Sequence, residues 1–381
     1  MKLTVPHVRK IAIAWVTLAL LACELPFTFA DVVGPQGRVL GWGNSSYGQT
    51  NSPSDLNDVI AVGANGGDGT VGYSVALRRN GTVTAWGYNG RFGVTNVPAG
   101  LANVISISAG VFHVMALKKD GTVSVWGGSL QSSNIPTGLS NVVAIAGGRT
   151  QSLALKSDGT IVAWGYDTAT NVPTGLHDVA AIAAGWDCSL ALRSNGTVVV
   201  WGFGSITNVP TDSTNVSAVA AGFGCGLALK SNGTVTSWGS ISNVPVGLSN
   251  VVAIAANNFG NLAVRSDGKV VAWTGFGEQS IPENLTNVVA VASSYDHALA
   301  ITCDLRIDSI RIVNGAPEAR VHSFEGRSYY LEYAEEIKGD NWSPVSGSPI
   351  HGNGSEIVFK DIQRPAASHL FYRVRSTAEN R

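Results

Sequence analysis

Charged residues are scarce in this chain. Asp, Glu, Lys and Arg make up 13% of the 381 residues and the formal net charge is −1, against about 25% charged residues in an ordinary soluble domain. No global field argues for nucleic acid or an acidic membrane surface. With so few charges, most polar needs must be met by backbone pairing. No amphipathic helix of convincing length is present, which excludes helical bundles and solenoids. No glycine-rich loop follows a strand and opens a helix, so nucleotide binding has no support. Long hydrophobic runs are also missing. Ile11 to Ala22 is twelve residues long, too short for a ~30 Å hydrocarbon core, so no membrane span is expected.

That run is instead the core of an expected export signal over residues 1–30. Lys2, Arg9 and Lys10 precede it, and Thr28-Phe29-Ala30 supplies small residues at the cleavage site. Leu20-Leu21-Ala22-Cys23 also resembles a bacterial lipobox, which would leave a lipid anchor on Cys23. The intervening Glu24 to Ala30 fits an ordinary cleavage region and is the preferred reading. The expected location is therefore secreted, periplasmic or on the surface of a bacterial cell. Removing the signal leaves Cys188, Cys225 and Cys303. An odd count allows at most one disulfide, so packing must hold the fold.

What is abundant is glycine, at 45 residues, and internal repetition. A Trp-Gly (once Trp-Thr) element places tryptophan at 42, 86, 126, 164, 201, 238 and 273, spaced by 44, 40, 38, 37, 37 and 35 residues. One unit reads as a short apolar strand A from Asn141, a strand B at Ser152-Leu-Ala-Leu, and a strand C at Thr160-Ile-Val-Ala-Trp164. Strand C is β-branched and aromatic, as a pleated sheet prefers. Asn-Gly or Asp-Gly joins B to C at residues 80, 120, 158, 195, 232 and 267. This dipeptide predicts a two-residue hairpin with positive φ at both central residues. An Asn-Val-Pro segment is expected to add a fourth strand.

Six complete A-B-C units run from Val59 to Thr274, and Val288 to Ile301 supplies A and B of a seventh. Its missing strand C lies at the other end of the chain, in Gly37 to Gly43. The expected fold is all-β: a seven-bladed β-propeller over residues 31–303, closed by its N-terminal strand so that no seam stays open.

The repeat resembles the regulator of chromosome condensation repeats. Ala109-Gly110, His113, Ala116-Leu117, Asp120-Gly121-Thr122 and Trp126-Gly127 meet that pattern, as do Trp42-Gly43-Asn44 and Gly48-Gln49. In brevity and export the repeats are similar to those of the secreted propeller inhibitors of β-lactamases. That resemblance implies a binding protein that grips a protein partner through one aromatic-rich face. The nuclear member's nucleotide exchange is ranked last, because export removes the chain from its GTPase. After Cys303 the period stops. Residues 304–381 alternate like strands, suggesting a small fibronectin- or immunoglobulin-like β-domain, read as a spacer or sorting module.

In such a blade the A–B and C–D loops share one face and the B–C turns the other. The B–C face carries Arg78, Arg79, Lys118, Lys119, Lys156, Arg193, Lys230 and Arg265, read as solvated turn edges rather than a nucleic-acid site. The opposite face is variable and aromatic. Its A–B loops bring Phe112, Trp186, Phe223, Phe259 and Tyr295, and its C–D loops bring Tyr47, Tyr88, Phe92, Tyr166, Phe203 and Phe276. Some are expected to plug the channel and the rest to form a binding face. Blade one has an insertion here, within Gly63 to Thr70. Asp68, Asp167, Asp187, Glu278 and Asp296 could face the same surface, without a base-and-nucleophile pair at a telling spacing. Aligned B strands put Tyr73, His113, Gln151, Cys188, Cys225, Gly260 and His297 in one column. A His/Cys metal site is conceivable there, but packed or hydrogen-bonded residues are the preferred reading. No catalytic residue, metal or cofactor is assigned. The functional expectation is a non-enzymatic scaffold for an extracytoplasmic protein partner, with a carbohydrate-binding or glycan-processing propeller as the alternative.

Overall fold

The computed structural model describes residues 37–378 apart from 67–71, 91, 129, 167, 204–205, 207, 258–259, 274–279, 284, 304–305, 314–315, 324–326, 335–342, 352–355, 362 and 364–370. The expected export signal lies outside these residues. Two compact units divide the chain, Val39–Ile301 and Thr302–Arg381. Among the described residues helix is confined to Leu130–Ser133 and a 3-10 turn at Thr168–Thr170. No helix there is long and apolar enough to cross a membrane.

Among the described residues, the first unit contains seven three-stranded sheets. Sheet one is Val59–Gly66, Gly72–Arg78 and Val83–Gly87, and sheet two is Val104–Ala109, His113–Lys118 and Val123–Gly127. Sheets three to five repeat this order from Val142, Val179 and Val216, and sheet six from Val251 to Trp273. The seventh joins Val288–Ser293 and His297–Thr302 to Arg38–Gly43, the first strand of the unit. Strand B is the middle strand of every sheet and is almost wholly buried, whereas strand C is half-exposed until its tryptophan. Apolar clusters bridge neighbouring sheets. Val39, Leu299 and Ile301 of sheet seven pack with Val59, Ala76 and Trp86 of sheet one. Such successive three-stranded sheets, packed face to face, are the blades of a β-propeller.

Two expectations about the blade are corrected. The first concerns the hairpin. Only its glycine is left-handed: Gly81 has φ 79°, and Asn80 is not in the positive-φ region. Gly81 N donates to Arg78 O at 3.0 Å, closing an ordinary turn. The Thr82 amide and hydroxyl both donate to Asn80 Oδ1, at 3.0 and 2.7 Å. That side-chain clamp holds the Asx residue in right-handed backbone, so the loop is a turn followed by a glycine bulge.

The second concerns the fourth strand. Asn-Val-Pro forms none, because proline lacks a ladder donor and the neighbouring amides bond locally. Val97 N donates to Thr95 O and Leu101 N to Pro98 O. The linkers are held instead by the repeated tryptophan. The indoles of Trp126, Trp164 and Trp201 donate to Val94 O, Ser132 O and Ala169 O, at 2.9, 2.9 and 2.8 Å. Trp86 and Trp238 donate likewise, to Gln49 O and Ile206 O, whereas the buried indole nitrogens of Trp42 and Trp273 have no such partner. The blade-one insertion is also partly regular: Val59–Gly66 runs through it, with Asn65 paired to Tyr73 and Gly66 to Gly72. The remainder of the insertion lies outside the described residues.

The hairpin glycines also stitch blades together. Val104 N donates to Gly81 O at 3.1 Å, and Val142, Val179, Val216, Val251 and Val288 repeat this bond to the preceding sheet's glycine. A Cβ on Gly81 would lie 3.2 Å from Asn103 Cα, and one on Gly159 only 2.5 Å from His177 O. Gly81→Val and Gly159→Val are therefore expected to lower stability by about 1–3 kcal/mol each, read by denaturant or thermal melts.

In the second unit, Arg306–Val313, Ala316–His322 and Glu356–Lys360 form one sheet. Arg327–Ala334 pairs with Ser343–Pro344, Ile350–His351 and Phe371–Ala378 in another. Ala319, Val321, Ile357 and Phe359 of the first sheet share one core with Tyr329, Leu331 and Val374 of the second.

Candidate binding face

The A–B and C–D loops meet at one end of the sheets through repeated backbone bonds. Tyr88 N donates to Gly72 O at 2.9 Å, Tyr166 N to Thr150 O at 3.2 Å and Phe203 N to Asp187 O at 2.9 Å. These aromatics all follow a Trp-Gly pair, so one backbone register fixes three expected face residues. Tyr166 is 65% exposed and Phe203 76%. Burial thus does not account for either ring.

A second register follows the glycine of the A–B loop and holds Val111, Arg149, Trp186 and Phe223, with Tyr295 in the same place after Ser294. Phe112 sits one place later and is half-buried, stacked at 4.6 Å on Phe92. Trp186 is half-buried, with the half-exposed Phe223 ring edge-on at 5.4 Å. The Arg149 guanidinium lies 5.0 Å from the Trp186 ring and 3.5 Å from Asp187 Oδ1. Arg149 was missed in the sequence because a single cation beside a turn carries no periodic signal. Elsewhere on the face, Tyr47 meets Tyr88 at 4.8 Å. Phe259 and Phe276 lie outside the described residues, as do Asp68, Asp167 and Glu278.

Among the described residues, the mouth of the central channel is formed by the strand-A ends of the sheets and the loops that follow them. Asn65, Val111, Gly147, Ala184, Ala221, Ala256 and Ser293 contribute, and Trp186 and Tyr295 are its aromatics among the described residues. The cavity is about 50 Å³, against ~300–1,000 Å³ for small-molecule sites. Glycine, alanine and serine line most of it, beside the two expected aromatics Trp186 and Tyr295.

The column of aligned B-strand residues connects blades. Tyr73 Oη donates to Gly110 O at 2.6 Å, and Gln151 Nε2 to Gly185 O and Cys188 O at 3.0 Å. Cys225 Sγ donates to Asn257 O at 3.2 Å. Burial pushes both Cys188 and Cys225 up to about 12, so both stay thiols at neutral pH. Thiol reagents are expected to leave both unmodified in the native protein and to modify them on unfolding; native labelling at either would contradict this packing.

Histidines complete the column. His113 Nε2 lies 2.9 Å from Ser152 Oγ, and burial lowers this histidine to about 4. His297 Nε2 lies 3.0 Å from Ser74 Oγ, and its Nδ1 2.9 Å from Asp296 Oδ1. Ser74, His297 and Asp296 thus have the spacing of a hydrolytic triad. Ser74, however, is fully buried and donates its proton to Gln49 O at 2.8 Å. A nucleophile must reach its substrate, so the arrangement is structural.

A chain of three-stranded sheets with tryptophan-pinned linkers and an aromatic loop face is a repeat β-propeller. The family described as Regulator of chromosome condensation (RCC1) repeat matches residues 104–131 and 179–205. These two segments are similar to RCC1 repeats, and the fold around them is that of a repeat β-propeller. Comparison with curated proteins yields no matching sequence. Among solved structures, that of Kap60 bound to yeast RCC1 (Prp20) superposes with a TM-score of 0.61 at 17% identity, covering 79% of this chain and 94% of that one. Prp20p from Saccharomyces cerevisiae, studied with Gsp1p and histones, gives 0.58 at 17% identity, covering 72% and 93%. The CRINKLY WD40 ectodomain of the Arabidopsis thaliana receptor kinase ACR4 gives 0.50 at 22%, covering 65% and 95%. At these identities the likeness is one of fold.

Proposed function

We propose that the protein is an exported, non-enzymatic scaffold that binds a protein partner outside the cytoplasm through the A–B and C–D loop face. The observation that carries this reading is the exposure of Tyr166, Phe203 and Phe223, with the Tyr166 and Phe203 amides bonded to Thr150 O and Asp187 O. Large rings held in water are typical anchors of interfaces. The structures of yeast RCC1 with Kap60, and of Prp20p studied with Gsp1p and histones, support a protein partner over a small ligand. The narrow axial cavity favours a surface contact as well. In this reading residues 1–30 direct export, residues 31–303 form the binding domain and residues 304–381 serve as a spacer or sorting module.

A photo-reactive residue at Phe203, introduced into the full chain in its native host, tests the proposal. The expected result is a specific crosslink to an extracytoplasmic protein that the same residue at Asn232, on the B–C face, does not give. Saturable sugar binding on a glycan array, lost in Trp186→Ala, would replace the proposal with the carbohydrate reading.

A further inference from the structure

The two column histidines sit in equivalent places, yet their surroundings differ in one respect. In both, the neighbouring blade's serine spends its only proton elsewhere: Ser152 Oγ donates to Ser132 O at 3.1 Å and Ser74 Oγ to Gln49 O at 2.8 Å. Each histidine Nε2 must therefore carry a proton and donate it to that serine. At His113 the other nitrogen, Nδ1, is buried without a partner, so the ring is neutral.

At His297 the other nitrogen faces a carboxylate. Asp296 Oδ1 lies 2.9 Å away, and its side chain is only 11% exposed while that of His297 is fully buried. Burial acts to raise the Asp296 carboxyl, but the His297 hydrogen bond and charge bring it below its ordinary range. The remaining contacts of Asp296 are donors: Ser294 Oγ at 3.3 Å and Gln49 Nε2 at 3.4 Å. An ionised carboxylate 2.9 Å from a bare ring nitrogen would set lone pair against lone pair. A proton on Nδ1 turns that contact into a charge-assisted hydrogen bond.

We infer that His297 is an imidazolium, and that with Asp296 it forms a charged latch between the first and last sheets of the propeller. His297 and Asp296 belong to sheet seven and its loop. Ser74 belongs to sheet one, and Gln49 to the linker that follows the N-terminal strand. Asn44 N adds a bond to Asp296 O at 2.8 Å, so the same loop also holds the end of that strand. The other group on His297 is the hydroxyl of Ser294, 2.7 Å from Nδ1. Asp296 is thus the charged partner in contact with the ring.

The test uses the full chain with ¹⁵N-labelled histidine at neutral pH. Long-range proton–nitrogen spectra are expected to show both nitrogens of His297 protonated and only one of His113. A neutral His297, protonated at Nε2 alone with Ser294 as donor to Nδ1, overturns the inference without any variant. Asp296→Asn is expected to return His297 to a single protonated nitrogen and to lower the melting temperature by roughly 6 °C or more, the scale of breaking a buried pair. The same substitution in a His297→Gln background is expected to cause little further loss. Equal losses in both backgrounds would show that Asp296 acts independently of His297 and would also overturn the latch.

Discussion

A chain beginning at residue 44, and so lacking Arg38–Gly43, is expected to lose cooperative folding at the full-length melting temperature. That strand lies beside His297–Thr302, and its removal leaves the middle strand of the sheet with an open edge. It also withdraws Val39 from the cluster that contains Leu299, Ile301 and Trp86, and Trp42 from the packing around Leu262 and Ala298. Two large side chains returned to water represent ~3–6 kcal/mol, a large share of the ~5–15 kcal/mol that holds a typical domain. Differential scanning calorimetry would read the effect as a broadened transition at much lower temperature. A sharp transition at the original temperature would mean that the first strand does not close the ring.

The second large effect concerns the binding face. Alanine at Tyr166, Phe203 or Phe223 is expected to leave the melting temperature within a degree or two of the parent, because these rings are exposed. Each should instead weaken partner binding by about 2 kcal/mol or more, roughly thirtyfold, if the ring is an interface anchor. Trp201→Ala gives the contrast. Its indole is buried and pins a linker, so it should cost ~3–5 kcal/mol of stability. Parallel melts and affinity measurements separate the two classes. Large melting losses at the three exposed positions would place them in the core and remove the argument for the face.

Trp186 falls between these classes. It is half-buried, and it touches Phe223 and Arg149. Its truncation disturbs neighbours as well as any partner, so it serves better as a probe of sugar binding than as a clean test of a protein interface.

The repeat itself was legible because similar needs recur from sheet to sheet. The apolar strand B, the Asx-Gly dipeptide and the terminal Trp answer local demands: a buried middle strand, a turn and, at five of the seven tryptophans, a donor aimed at the preceding linker carbonyl. Loop aromatics could likewise be placed on one face, since strand direction alone decides which loops meet there. The exposed rings Tyr166 and Phe203 were among them.

Other features depended on contacts between repeats, which no single repeat encodes. The hairpin is a turn with a glycine bulge because Thr82 binds Asn80, and its glycine is crowded by Asn103 of the following sheet. Asn-Val-Pro reads as extended, but whether it joins a sheet depends on the ladder donors that proline lacks and on the indole that holds it. The column residues look alike in alignment, and only their neighbours separate a neutral His113 from a His297 facing Asp296. The sequence by itself determined the all-β repeat, its strand order and the sidedness of its loops, because periodicity and turn chemistry act within a few residues. Tertiary structure alone decided which aromatics stay in water, which polar side chains are spent on blade-to-blade bonds, and that Arg149 joins Trp186, because those outcomes rest on groups brought together from different sheets.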